Sequence, residues 1–197
     1  MGRPIRAREV DLITLITGGA RAGKSGYAET LAVQSGLQVV YLATAHAGDA
    51  EMEERIRRHR ARRPAGWLTL EEPLALGAAL RAHAHAERCI VIDCLTLWLT
   101  NLILAEHSIG GAGGDVASIE PGPRFSAERT DFLNALQALP GQIIAISNEV
   151  GMGVVPLGAL NRYFVDETGR LNQAIAAFAG KVVWMVAGCP VVAKAGD

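Results

Sequence analysis

Gly18, Gly19, Ala20, Arg21, Ala22, Gly23, Lys24 and Ser25 are the residues whose types and spacing most clearly do chemistry, because together they satisfy GxxxxGK[ST]. Glycines let successive backbone N–H groups turn inward around phosphate oxygens. The lysine reaches the β- and γ-phosphates, and the serine hydroxyl is a hard oxygen ligand suited to magnesium. This set predicts a nucleoside triphosphate held through its phosphates. A magnesium site of this kind is completed by an acidic residue, and Asp93, which closes the apolar run Cys89-Ile90-Val91-Ile92-Asp93, suits that role. Many buried strands also stop at an aspartate for reasons of solvation alone, so Asp93 carries both readings.

A second group lies in Glu51–Pro64, where acidic residues come first and basic residues last. That order complements a helix dipole without any function. At helical spacing, however, Arg55, His59 and Arg62 or Arg63 share one face, and like charges so placed repel unless an anion sits among them. Guanidinium neighbours favour the neutral imidazole, which is the nucleophilic form. His59 is therefore either a solvated helix residue or a nucleophile toward phosphorus. His83 and His85 read as solvated, His46 falls in a loop where a role at the nucleotide is open, and nothing supports one for His107.

Those residues need a frame. Short apolar, β-branched runs occur at Leu12–Thr17, Gln38–Ala43, Cys89–Asp93, Gln142–Ser147 and Lys181–Val186, with Trp67–Leu70 a further candidate strand. Helix-compatible sequence separates them, at Ser25–Gln34, Ala50–Arg62, Pro73–Ala86, Leu95–Glu106, Ser126–Leu139 and Leu157–Ala179. Such alternation predicts an α/β domain with a mostly parallel sheet flanked by helices. The phosphate-binding motif then sits between a strand and a helix, the context it requires. Residues 1–10 read as a loose polar leader, and the glycine- and proline-rich stretch 107–124 as a flexible loop.

With 197 residues, half of them hydrophobic, the chain is expected to form one domain. Nineteen basic and 20 acidic side chains nearly cancel, so no global charge points to nucleic acid or a membrane surface. Any anion site has to be local. Cys89, Cys94 and Cys189 form neither a CxxC pair nor a metal-ligand spacing, which predicts buried, reduced thiols. Without a secretory signal or an apolar stretch of membrane-spanning length, a soluble, cytoplasmic protein is expected.

The chain also resembles, nearly end to end, the bifunctional adenosylcobinamide kinase/adenosylcobinamide-phosphate guanylyltransferases of cobalamin biosynthesis. The resemblance rests on Thr17–Ser25, Tyr41–Ala45, Arg55–Trp67, Ile92–Thr96, Thr100–Leu102, Ser147–Pro156 and Gly169–Gln173. The phosphate-binding motif is widely shared. Asn148-Glu149-Val150-Gly151-Met152-Gly153 and His59-Arg60-Ala61-Arg62-Arg63-Pro64 are more particular.

The resemblance implies a RecA-like P-loop NTPase fold, a homotrimer and two activities. Adenosylcobinamide is phosphorylated on its aminopropanol hydroxyl, with the preferred donor, ATP or GTP, left open. GMP then passes from GTP to that phosphate through a guanylylated histidine. His59 inherits that role by its match to the family's histidine. Nucleotide contacts are implied at Gly18–Ser25, at Ala43, Thr44 and Ala45, at Arg60, Ala61, Arg62 and Arg63, and at Glu71 and Asp93, with Mg2+ at Ser25 and Asp93. The leader and the 107–124 loop depart from the family pattern without touching a motif. From the residues alone, a small-metabolite kinase without a covalent intermediate and a nucleotide-driven switch protein remain rivals.

Overall fold

The computed structural model describes residues 12–45, 64–106 and 120–196. The expected leader, the helix Ala50–Arg62 and residues 107–119 of the expected loop lie outside them. Seven strands form one sheet in the described residues, in the order β3-β2-β4-β5-β1-β6-β7. They are β1 (Ile13–Gly18), β2 (Gln38–Ala43), β3 (Leu68–Glu71), β4 (Arg88–Asp93), β5 (Gln142–Ile146), β6 (Lys181–Val186) and β7 (Cys189–Lys194). All neighbours pair in parallel except β6 with β7. Between them run α1 (Lys24–Gln34), α2 (Leu76–His83), α3 (Leu95–Glu106), α4 (Pro123–Ala138) and α5 (Ala159–Phe178).

The central strands are apolar on both sides because both sides are covered. On one face Leu15, Leu42, Ile92 and Ala145 meet Leu80 of α2, Trp98 of α3, Phe132 of α4 and Ile175 of α5. On the other, Ile16, Tyr41, Val91 and Ile144 pack against α1 through Ala28 and Ala32, small residues that let the helix lie close to the sheet. Trp98 is fully buried, and its indole N–H donates to the Leu74 carbonyl at 2.7 Å, so its polar atom is satisfied inside the core.

Three departures from the sequence expectation have local causes. Strand β7 was not expected, since Pro190 argues against a strand and Ala187-Gly188 lacks the usual Asn-Gly turn signal. Both turn residues nevertheless take positive φ, 49° and 84°, and β7 lies at the sheet edge, where proline is tolerated. Helix α4 begins at Pro123 rather than Ser126, because proline suits the first helical position and the Glu106 carboxylate accepts the Phe125 N–H at 2.9 Å. Helix α2 begins late, because the Glu72 carboxylate accepts the N–H groups of Leu74 and Ala75 at 2.9 and 2.8 Å in a turn ahead of it.

Cys89 and Cys94 are buried as expected, whereas Cys189 is exposed at the start of the edge strand. Burial raises the Cys89 thiol to about 11, against a smaller opposing effect of the Ser35 hydroxyl, and burial likewise raises Cys94. A disulfide reagent at neutral pH should therefore titrate one thiol quickly in the native protein and three after denaturation without reductant. A second fast thiol would contradict the burial of Cys89 and Cys94, and fewer than three free thiols in total would contradict the reduced state.

Candidate active site

At the carboxyl ends of the parallel strands, β1 runs into the glycine-rich turn. Gly18 has φ +143°, and a Cβ there would lie 2.5 Å from the Met185 carbonyl oxygen of β6, so no side chain fits. Gly23 has φ +95° and forms the N-cap of α1 without a side-chain hydrogen bond. The helix has no acidic residue in its first turn. Its leading N–H groups and positive dipole end are thus left for an external anion. Arg21 takes φ +58° at the exposed crest of the turn.

Lys24 is only 8 % exposed. Its Nζ curls back onto the turn, donating to the carbonyls of Gly18 at 3.0 Å and Gly19 at 2.6 Å. Burial lowers its pKa from 10.5, an effect opposed by Cys94 and the Asp93 carboxylate. An ammonium held in a partly desolvated cradle gains from any polyanion that enters it.

Ser25 and Asp93 meet in the fold. The Ser25 hydroxyl donates to Asp93 Oδ2 at 2.8 Å, and the Tyr41 hydroxyl donates to the same oxygen. Sheet register brings them together, since Asp93 is level with Ile146 of β5, which is level with Ile16 of β1. One strand therefore separates the turn from the carboxylate. The donor set fits magnesium, which is held by one or two protein oxygens with phosphates and water supplying the rest. No cluster of three or more His, Cys, Asp or Glu able to hold a metal occurs among the described residues.

Other residues for which the resemblance implies nucleotide contacts lie at the same ends of the strands. Ala43 pairs with Glu71 on one side and Asp93 on the other, so the ends of β2, β3 and β4 form one row. Thr44, fully buried, clamps the end of β4, its hydroxyl donating to the Cys94 carbonyl at 2.7 Å and accepting the Cys94 N–H at 2.8 Å. Ala45 follows it, half-buried, while Glu71 is exposed. His59, Arg60, Ala61, Arg62 and Arg63 lie outside the described residues.

The later motifs anchor a loop to the cradle. The Glu149 N–H donates to the Gly18 carbonyl at 3.1 Å, and Asn148 donates to the Thr96 hydroxyl through its backbone at 2.9 Å and its side chain at 3.0 Å. Asn172 of α5 donates to the Asn148 carbonyl at 3.2 Å, and Arg170 is committed to Glu167 at 2.6 Å. Sequence reasoning assigned no role to Tyr41, Thr96 or Asn101, whose amide donates to the carbonyls of Thr44 and Pro73 at 2.8 and 3.2 Å. Each of the three lies in or beside a quoted motif, but only the register reveals its partner. A separate cavity of about 440 Å³, lined by Thr14, Leu31, Gln142 and Lys181 among others, opens at the opposite end of the strands, away from this chemistry.

The family profile described as cobinamide kinase / cobinamide phosphate guanyltransferase matches residues 14–193. The chain belongs to that family. It is 56% identical over 180 residues to the bifunctional adenosylcobalamin biosynthesis protein CobP of Pseudomonas aeruginosa, covering 91% of this chain and 96% of that protein. It is 37% identical over 187 residues to CobU of Escherichia coli, which carries the same bifunctional description, covering 93% of this chain and all of that protein. Among solved structures, the ATPase EscN of the enteropathogenic E. coli type III secretion system superposes with a TM-score of 0.51 at 12% identity, over 90% of this chain and 43% of EscN. That likeness concerns the fold alone, and it agrees with the expected P-loop NTPase sheet. For this member of the cobinamide kinase / guanyltransferase family, the cradle is the part that the fold places at the carboxyl ends of the strands, where α/β sheets bind ligands.

Replacing Lys24 separates binding from stability. The Gly18 and Gly19 carbonyls keep backbone donors, from Glu149 at 3.1 Å and Ala22 at 3.3 Å. A lysine whose pKa is lowered on folding opposes folding while it is charged, and that opposition fades only as pH rises through its folded pKa toward 10.5. At pH 7 Lys24→Met should therefore melt no lower than wild type without nucleotide. It should lose the melting-temperature rise caused by GTP, with turnover down by roughly 10²-fold or more. An unliganded variant that melts well below wild type would contradict this reading of the lysine.

Proposed function

We propose that this chain is a bifunctional transferase that phosphorylates adenosylcobinamide and then transfers GMP from GTP to adenosylcobinamide phosphate, giving adenosylcobinamide-GDP. The observation that carries the reading is the convergence of three features at the carboxyl ends of the central strands. They are the uncapped N-terminus of α1, the desolvated Lys24 ammonium and the Ser25 hydroxyl paired with Asp93. Family membership over residues 14–193 supplies the acceptor class.

In the kinase half, the cradle N–H groups and Lys24 hold the β- and γ-phosphates of ATP or GTP. The acceptor hydroxyl oxygen bonds to the γ-phosphorus as the bond to the nucleoside diphosphate breaks, and the hydroxyl proton is released. The protein's part is positioning and charge stabilisation. Bound Mg2+ would supply Lewis-acid neutralisation of phosphate charge, held by Ser25 and Asp93, the latter kept in place by the Tyr41 hydroxyl.

In the guanylyl half, a neutral imidazole nitrogen of His59 bonds to the α-phosphorus of GTP and pyrophosphate leaves. Lys24 and the turn N–H groups stabilise the leaving charge, with Arg60, Arg62 and Arg63 beside the histidine. A phosphate oxygen of the acceptor then bonds to the same phosphorus as the phosphorus–nitrogen bond breaks. Both halves use one domain spanning the chain and one cradle. Ala43, Thr44, Ala45 and Glu71 border the nucleotide, and Ala61 lies within the histidine segment. A homotrimer and a cytoplasmic location complete the proposal, the first checked by sedimentation mass. No helix among the described residues is long and apolar enough to cross a membrane.

His59→Ala separates the two halves. Guanylyl transfer should fall at least about 10³-fold while phosphorylation of adenosylcobinamide stays within a few-fold of wild type, since attack at the γ-phosphorus needs no nitrogen nucleophile. Wild-type protein treated with α-labelled GTP should carry acid-labile, base-stable label on the peptide holding His59. Label retained by the variant, or found outside Arg55–Arg63, would overturn the assignment.

A further inference from the structure

The segment that follows β5 does something the cradle does not explain. Its root is fixed at both sides, by Glu149 to Gly18 and by Asn148 to Thr96 and Asn172. Beyond the root, Met152, Val154, Val155 and Leu157 are 70, 97, 72 and 91 % exposed. Nothing among the described residues covers them. A run of large apolar side chains held open beside a phosphate cradle is costly unless a ligand covers it.

The geometry points to Val150–Gly158 as the acceptor-binding lip of both reactions, a surface for the apolar body of the corrinoid. This rests on the function proposed above. The segment has no charged side chain, so it offers no cation to a nucleotide polyanion and suits the apolar part of a large ligand whose charge lies elsewhere. Its root shares the Gly18 carbonyl with Lys24, so a ligand lying on the lip has its reactive oxygen beside the phosphates. Ser147 lies at the same root, fully buried, with no hydrogen-bond partner for its hydroxyl among the described residues. One short segment is also small against the roughly 20–30 residues a side of a stable protein interface.

The test uses the full-length enzyme with adenosylcobinamide and its phosphate as acceptors. The double variant Val154→Ser with Leu157→Ser alters only exposed side chains, and Val154→Ile is the conservative control. The double variant should raise KM for both acceptors by roughly tenfold or more, the scale set by losing the burial of one or two apolar side chains. KM for GTP, kcat at saturating acceptor and sedimentation mass should stay within twofold of wild type, and the Ile variant should behave as wild type. Unchanged acceptor KM values, or a GTP KM that rises in step with them, would overturn the lip while leaving the bifunctional reading intact. A changed sedimentation mass would overturn it in favour of a contact between copies. Wild-type protein that binds GTP but turns over neither acceptor would remove the functional reading itself, and the lip with it.

Discussion

The site depends on the absence of a side chain at Gly18. There β1 passes so close to β6 that a Cβ would lie 2.5 Å from the Met185 carbonyl oxygen. The backbone that results exposes one carbonyl to two donors, the Lys24 ammonium and the Glu149 N–H. Turn, lysine and the loop after β5 are therefore held by one oxygen. Lys24 leaving for a phosphate would free one of its lone pairs but not the loop, so the cradle can change partners without releasing its border.

A second dependence runs through the sheet. Asp93 reaches Ser25 because β5 alone separates β4 from β1, and because the register sets Asp93, Ile146 and Ile16 level. Tyr41 reaches the same carboxylate from β2, on the face where α1 packs. The core that makes this register unique is apolar on both faces, so slipping a strand by one residue would move Asp93 and Tyr41 away from α1 and onto the face covered by the other helices. Packing thus sets the position of the chemistry.

Much of this was legible in the sequence, and for physical reasons. The phosphate turn is encoded by adjacent residues, and β2 and β6 were bounded as Gln38–Ala43 and Lys181–Val186 because buried parallel strands read as continuous apolar runs. What depends on distant residues was not legible. Tyr41 and Asn101 had no assigned role: register sets the Tyr41 hydroxyl beside Asp93, and the Asn101 amide meets the carbonyls of Thr44 and Pro73 across the chain. Strand β7 was hidden by Pro190 and an Ala-Gly turn, and exposed Cys189 went with it. The partner of Arg170, the buried Glu167 one helical turn before it, likewise shows only in the structure.

The central claim is that one cradle, built on Gly18, Lys24, Ser25 and Asp93, holds the nucleotide for two reactions at different phosphorus atoms. It is tested most directly by calorimetric titration of the wild-type chain with α,β-methylene GTP, which cannot be cleaved at the α-phosphorus, followed by competition with a non-hydrolysable ATP analogue. The account predicts one nucleotide per chain in total, each analogue displacing the other, with binding lost in Lys24→Met. Two independent nucleotides per chain, or an ATP analogue that binds undiminished beside saturating α,β-methylene GTP, would contradict it.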